Sequence, residues 1–203
     1  DYQCPHCQGK DFEKEKEGYL KWIRDLTEKH NVILIFDEIV TGFRMANGGA
    51  QEYFGVTPDL ACFGKGMANG YPIAALVGKK KIMEIMENLQ ITTTYGGEAL
   101  SLAALVATLK EYRKKGCIKH IWRLGEKLMN GFNKLSKEYG IEAEWVGYPP
   151  ITCFRFLYPD DKLNNDLMSL FLYENAKRGI LFRRNGPIFI SYSHTEKDID
   201  YTL

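Results

Sequence analysis

The chain has 203 residues, 45% of them apolar and 26% charged, the composition of a globular protein of one large or two small domains. Its 27 basic and 26 acidic residues give a formal net charge of +1 and are spread along the sequence, without the basic patch of a nucleic-acid or membrane-surface binder. No uninterrupted apolar run approaches the roughly 20 residues of a spanning helix, and the first residues lack a signal-peptide layout, so a cytoplasmic protein with no nucleic-acid or membrane partner is expected.

In chain order, Cys4-Pro5-His6-Cys7 comes first. It has the thiol spacing of a redox motif, but no strand precedes it, and the helix it should open starts only near Phe12. A structural zinc site would need four ligands, and His6 between the two thiols is a poor third, so a surface loop is expected here. Cys62, Cys117 and Cys153 are scattered and make no disulfide framework, which suits a reduced compartment. Tyr19, Trp22, Ile23 and Leu26 recur at helical spacing and predict an amphipathic helix over 12–30.

That helix feeds Val32-Ile33-Leu34-Ile35-Phe36-Asp37-Glu38, whose unbroken apolar run predicts a strand over 32–37 covered on both faces and closed by two carboxylates. Gly42, Gly48, Gly49, Gly55 and Pro58 mark a loop-rich connection with room for a short helix over 51–54. A second strand, Leu60-Ala61-Cys62-Phe63, ends in Gly64-Lys65-Gly66. The third apolar run, over 73–78, follows after a turn too short for a crossover helix, so it should be antiparallel.

Leu102, Leu105, Val106 and Leu109 predict a helix over 98–113, with Ala103, Ala104 and Ala107 permitting close packing on a sheet. Ile121, Leu124, Leu128, Phe132 and Leu135 trace a longer one over 118–139, stopped by Gly140. Beyond it, β-like runs over 141–146, 152–157, 180–182 and 188–192 alternate with a helix over 164–178, the layout of a small α+β domain. The expected division is 1–115 as part of a large α/β domain, 116–140 as a connecting helix and 141–203 as the small domain. His30, His120 and His194 carry neither triad nor metal spacing and are read as structural; no metal site is expected.

Asp37 and Lys65 stand where a doubly wound α/β sheet places its chemistry, an acid and an amine at neighbouring strand ends. Pyridoxal phosphate needs both, a carboxylate to keep its ring nitrogen protonated and a lysine to carry its aldehyde as a Schiff base. Taken singly the residues have plainer readings. Asp37 and Glu38 also suit a solvated pair or a metal-ligand duo, Lys65 a surface lysine, and Thr92-Thr93-Thr94 a polar loop start. Gly66-x-x-x-Gly70 lacks the Lys-Ser/Thr pair of a nucleotide phosphate loop.

Three motifs in order strengthen the reading: Phe36-Asp37-Glu38-Ile39-Val40-Thr41-Gly42-Phe43-Arg44, then Phe63-Gly64-Lys65-Gly66-Met67-Ala68-Asn69-Gly70-Tyr71-Pro72, then Thr93-Thr94-Tyr95-Gly96-Gly97. With them the chain resembles the class III pyridoxal-phosphate aminotransferases of fold type I, closest to the glutamate-1-semialdehyde aminomutase branch. The likeness continues through Arg178-Gly179-Ile180 and Ser193-His194-Thr195-Glu196-Lys197-Asp198-Ile199. It implies that Asp37 holds the pyridine nitrogen, that Lys65 forms the Schiff base and shuttles the proton, and that Val40 packs on the ring. Thr94 is implied to bind the cofactor phosphate in the neighbouring subunit of a homodimer.

The implied reaction is a ping-pong amino transfer between an amine donor and an oxo acceptor, with an intramolecular 2,1-aminomutase as the alternative and a non-catalytic fragment or interaction subunit as the other. Such enzymes are about twice this length in their usual pattern. The chain therefore reads as a C-terminal half, in which the strand over 32–37 becomes an exposed apolar edge. Arg155, Arg178, Arg183 and Arg184 are the late arginines available to a carboxylate, and none is singled out.

Overall fold

The computed structural model describes residues 18–91, 93–184 and 186–203, so the Cys4 to Cys7 motif and the start of the first predicted helix lie outside the described residues. The chain divides between Ile118 and Lys119 into two compact units.

In the first unit, helix α1 (Tyr19–Lys29) turns Arg24 inward and leads to strand β1 (Ile35–Asp37). Helix α2 (Ala50–Phe54) and strand β2 (Leu60–Phe63) follow, then a 3-10 turn over Lys65–Met67 and strand β3 (Ala75–Gly78). The sheet order is β1-β2-β3. β1 lies parallel to β2 with Asp37 opposite Cys62, and β3 is antiparallel to β2 as the short turn requires. The short helix α3 (Lys80–Met83) leaves β3, and α4 (Ala99–Lys115) closes the unit, its first turn capped by the Glu98 carboxylate on the Leu100 and Ser101 amides.

Strand alternation gives this sheet two unlike faces. Ala61, Phe63 and the turn residue Met67 are buried and pack with Phe36, Phe43, Ile73, Ala75 and Leu105 of α4. Each large side chain so removed from water contributes about 2 kcal/mol. On the other face Ile35 is 54% exposed and Leu76, opposite Cys62, is 41% exposed. The expectation of a strand covered on both faces therefore fails among the described residues. β1 is also shorter than the apolar run, because the Leu34 amide and carbonyl are taken by Asp59 and Leu60 and no described strand pairs with Val32 or Ile33.

Asp59, only 6% exposed, ties the other end of the sheet together. Its carboxylate accepts from the Leu34 amide at 2.8 Å and forms ion pairs with Lys79 Nζ at 2.7 Å and Arg24 Nη1 at 3.0 Å. α1, the approach to β1, the start of β2 and the exit of β3 thus meet on one side chain. The Leu34 amide first, then Lys79 and Arg24, pull its pKa down to about 2 against the opposing effect of burial. Because the unfolded carboxyl titrates near about 3.9, the unfolded chain binds more protons between the two values. The stabilisation is present above pH ~4 and is lost as pH falls toward 2. Asp59→Ala is expected to cost about 3 kcal/mol, since it strands the buried Arg24 charge. In urea titrations between pH 7 and pH 2, the variant should lose less stability on acidification than the wild type.

The second unit is antiparallel. The long helix α5 (Cys117–Glu138) ends in left-handed Gly140, and β4 (Ala143–Tyr148), β5 (Ile151–Phe156) and β6 (Ile188–Phe189) form a sheet in that order. Helix α6 (Asp161–Lys177) joins β5 to β6, and α7 (Glu196–Thr202) begins with a capping box between Thr195 and Asp198. The predicted stripe of α5 is buried at Ile121, Leu124 and Leu128. Gly125 interrupts it for a steric reason: a Cβ there would collide with the Pro149 carbonyl. Residues 180–182 form no strand, and Phe182 instead stacks on Phe171 of α6 at 5.4 Å.

His120 and His194 serve loops: a His120 ring nitrogen lies 2.8 Å from the His194 carbonyl, and His194 Nδ1 accepts from the Ser191 amide. Edge strand β4 is blocked by a side chain. The Trp145 N–H and C=O both go to the Asn133 amide group of α5, at 2.6 and 3.0 Å, and Trp145 itself is 2% exposed. Asn133→Ala leaves two buried backbone groups without partners and is expected to cost about 2–4 kcal/mol, read as a lower urea midpoint at unchanged slope.

Candidate active site

Parallel pairing places the C-terminal ends of β1 and β2 side by side, about 5 Å apart. Asp37 ends β1 on the open face, and its Oδ1 accepts from the Ile39 amide at 3.0 Å, an Asx turn that orients the carboxylate. Lys65 follows the end of β2, three residues past the register partner of Asp37. Both side chains are exposed, and no described residue hydrogen-bonds the Lys65 amine. Val40 sits half-buried in the loop after Asp37. Asp37, Val40 and Lys65 thus share one end of one sheet. Thr94 is exposed in the turn before α4, and no hydrogen bond among the described residues ties it to the other three.

The turn at Lys65 is built otherwise than its glycines suggest. Gly64 is extended at φ −172, and the left-handed residue is Lys65 itself at φ 42. A side chain in that region costs on the order of 1 kcal/mol and persists only where neighbours fix it. The Met67 amide bonds to the Gly64 carbonyl at 3.0 Å, Met67 and Ala68 are buried, and Tyr112 of α4 donates its hydroxyl to the Gly66 carbonyl at 2.9 Å. The Tyr112 ring stacks on Phe43 at 6.2 Å, and Phe43 packs on Phe63 at 5.6 Å. Burial pushes the Tyr112 hydroxyl above its ordinary pKa, with nearby Arg44 working the other way, so it stays a donor; burial lowers the Arg44 value.

Glu38 separates from Asp37 completely. It is 1% exposed, and its carboxylate accepts from the Ala50 and Gln51 amides at 2.8 Å each and from the Thr41 hydroxyl. It therefore caps α2 across the loop, which excludes the solvated pair. Gly49 is required beside it: φ is +85, and a Cβ would stand 2.6 Å from Glu38 Cδ. Three of the four late arginines are engaged in their own unit: Arg155 with Glu144 at 2.6 Å, Arg178 with Glu174 at 2.8 Å, and Arg184 with the Ser169 hydroxyl at 2.8 Å. Glu38→Gln points an amide donor at N–H groups and is expected to cost about 2 kcal/mol. Hydrogen exchange should quicken at Ala50 and Gln51 and stay unchanged in β4 and β5.

Comparison with known proteins identifies the family. The family described as Aminotransferase class-III matches residues 10–188. A 3-aminobutyryl-CoA aminotransferase of Cloacimonas acidaminovorans is 32% identical over 98% of the chain and 48% of its own length. A glutamate-1-semialdehyde 2,1-aminomutase of Clostridium novyi is 34% identical over 93% of the chain and 46% of its own length. Among solved structures, the PLP internal aldimine form of the Sphingopyxis sp. MTA144 FumI protein superposes with a TM-score of 0.85 at 26% identity, over 94% of this chain and 46% of that one. The chain spans about half the length of the relatives it matches.

Proposed function

The chain belongs to the class III aminotransferases, with the fold of the type I pyridoxal-phosphate enzymes, and we propose that it carries the lysine and aspartate of a pyridoxal-phosphate-dependent amino transfer. The observation that carries this reading is the Asp37–Cys62 register, which puts an oriented carboxylate and an exposed amine at the same end of adjacent strands. The donor set fits the cofactor: an acid for the ring nitrogen, an amine for the aldehyde carbon and an apolar side chain, Val40, for the ring. Bound pyridoxal phosphate supplies an electron sink for the pair left behind when a substrate α-proton departs.

Asp37 would accept the hydrogen bond of the protonated ring nitrogen and keep that proton in place. Lys65 Nζ would hold the cofactor at its aldehyde carbon and, as a free amine, would take the substrate α-proton and return it to a carbon acceptor. The same two groups serve an exchange between two molecules and a 2,1-shift within one carbon skeleton. Relatives of both kinds support the pair of readings. Release of one equivalent of oxo product without an acceptor marks the intermolecular exchange.

Thr94 belongs to the proposal as the phosphate contact of a second copy in a homodimer, a role supported by its exposed place in the turn before α4. In this reading residues 1–115 form part of the cofactor-binding domain, 116–140 the connecting helix and 141–203 the small domain. No described helix is long and apolar enough to cross a membrane. Free Cys62, Cys117 and Cys153 support a cytoplasmic setting.

Borohydride reduction in the presence of pyridoxal phosphate, followed by peptide mass mapping, is expected to place a phosphopyridoxyl group on Lys65. An adduct-free Lys65 in the intact protein would reject the reading. Asp37→Asn should keep the adduct and slow α-proton exchange by about 10²–10³-fold. Lys65→Ala should abolish both.

A further inference from the structure

We propose that Tyr112 is a positioning residue for Lys65, clamping the loop after β1 to the loop after β2 so that the turn bearing the amine keeps its left-handed form. This rests on the reading of Lys65 as the cofactor-bearing amine, and concerns how the fold holds it.

One side chain touches both loops. The Tyr112 ring lies nearly parallel to Phe43, at 7° and 6.2 Å, and Phe43 is six residues past Asp37. Its hydroxyl reaches the Gly66 carbonyl at 2.9 Å, one residue past Lys65. Phe43 is itself left-handed, at φ 58, and is braced on Phe63 at 5.6 Å. Both loops therefore contain a strained non-glycine residue, and Tyr112 contacts each loop at that residue or beside it. Such conformations persist where the surroundings over-determine them.

Two other holds act on the Lys65 turn. The Met67 amide closes it onto Gly64, and Met67 and Ala68, at 3% and 1% exposure, anchor its exit in the core. They fix where the turn leaves. The Gly66 carbonyl shares its peptide unit with the Met67 amide, so Tyr112 holds one end of that unit and the Gly64 carbonyl holds the other. With its hydroxyl committed there, Tyr112 has no proton to spend on substrate, which makes it a positioning residue and not a catalytic one. A Cβ at Gly66 would stand at ordinary contact, 3.5 Å from the Tyr112 oxygen, so the approach does not depend on the absence of a side chain there.

Tyr112→Phe keeps the ring and its stacking and removes only the hydroxyl. In the intact protein two quantities are read: hydrogen exchange at the Met67 amide, and the pyridoxal phosphate concentration that half-saturates borohydride-trapped adduct on Lys65. Loss of one net hydrogen bond predicts about 3- to 10-fold faster exchange and a half-saturating concentration raised by a similar factor, with the maximal adduct per chain unchanged. A merely structural role would lower the plateau with the unfolded fraction and leave half-saturation in place.

Unchanged exchange at Met67 overturns the proposal, and so does faster exchange with unchanged half-saturation. A wild-type protein that never forms the Lys65 adduct sinks the cofactor reading and this inference with it, whereas a normal adduct insensitive to Tyr112→Phe sinks the inference alone. If Tyr112→Phe does not accumulate folded, Phe43→Leu decides. It keeps the hydroxyl, removes the ring that aims it, and should move both quantities in the same direction by a smaller factor.

Discussion

Three backbone pairings, Ile35 with Leu60, Phe36 with Ala61 and Asp37 with Cys62, decide what this chain can do. Strand periodicity makes register a choice of face: a slip of one residue would turn Asp37 into the packed layer of Ala61, Phe63 and Met67 and bring Phe36 out beside Lys65. A buried unpaired carboxylate costs several kcal/mol, and exposing Phe36 adds a further loss of about 2 kcal/mol. The acid stands at the working end of the sheet because the alternative pairings are worse by that margin.

Register needs anchoring at both ends. At the entry, Asp59 joins Arg24, Leu34 and Lys79, so that the approach to β1 and the edges of β2 and β3 are held by one charge-assisted hydrogen bond and two ion pairs. At the exit, Glu38 caps α2 and closes the loop after β1, while α4 holds the loop after β2 through Tyr112. α4 also carries the Glu98 cap directly behind the Thr94 turn. One helix thus follows the turn that bears Thr94, for which a phosphate contact is proposed, and near its other end reaches the turn of the lysine. The strain at Lys65 is tolerated because rigid elements surround it.

Much of this was legible in the residues themselves. The apolar runs ending in Asp37 and Lys65, the antiparallel third strand, the long helix stopped by Gly140 and the short helix before Gly55 follow from periodicity and turn chemistry, which are local signals. What stayed hidden depends on distant partners. Glu38 reads as half of a carboxylate pair, since nothing near it announces a cap on amides 12 residues later. Tyr112 continues the stripe of Leu105 and Leu109 and looks like one more core residue; its bond to a carbonyl 46 residues away leaves no pattern. The shortening of β1 has the same origin, because the Asp59 claim on Leu34 is a tertiary contact.

The open face joins these observations to the chemistry. Ile35 and Leu76, at 54% and 41% exposure, are apolar, and the face they form also bears Asp37. A carboxylate 4 Å from a ring cation attracts it by about 1 kcal/mol in bulk water and by about 4 kcal/mol at the lower effective dielectric of a partly enclosed protein site. In the proposed site, shielding Ile35 and Leu76 from solvent would strengthen the hold of Asp37 on a ring nitrogen, and the same desolvation would favour the neutral, nucleophilic form of an amine.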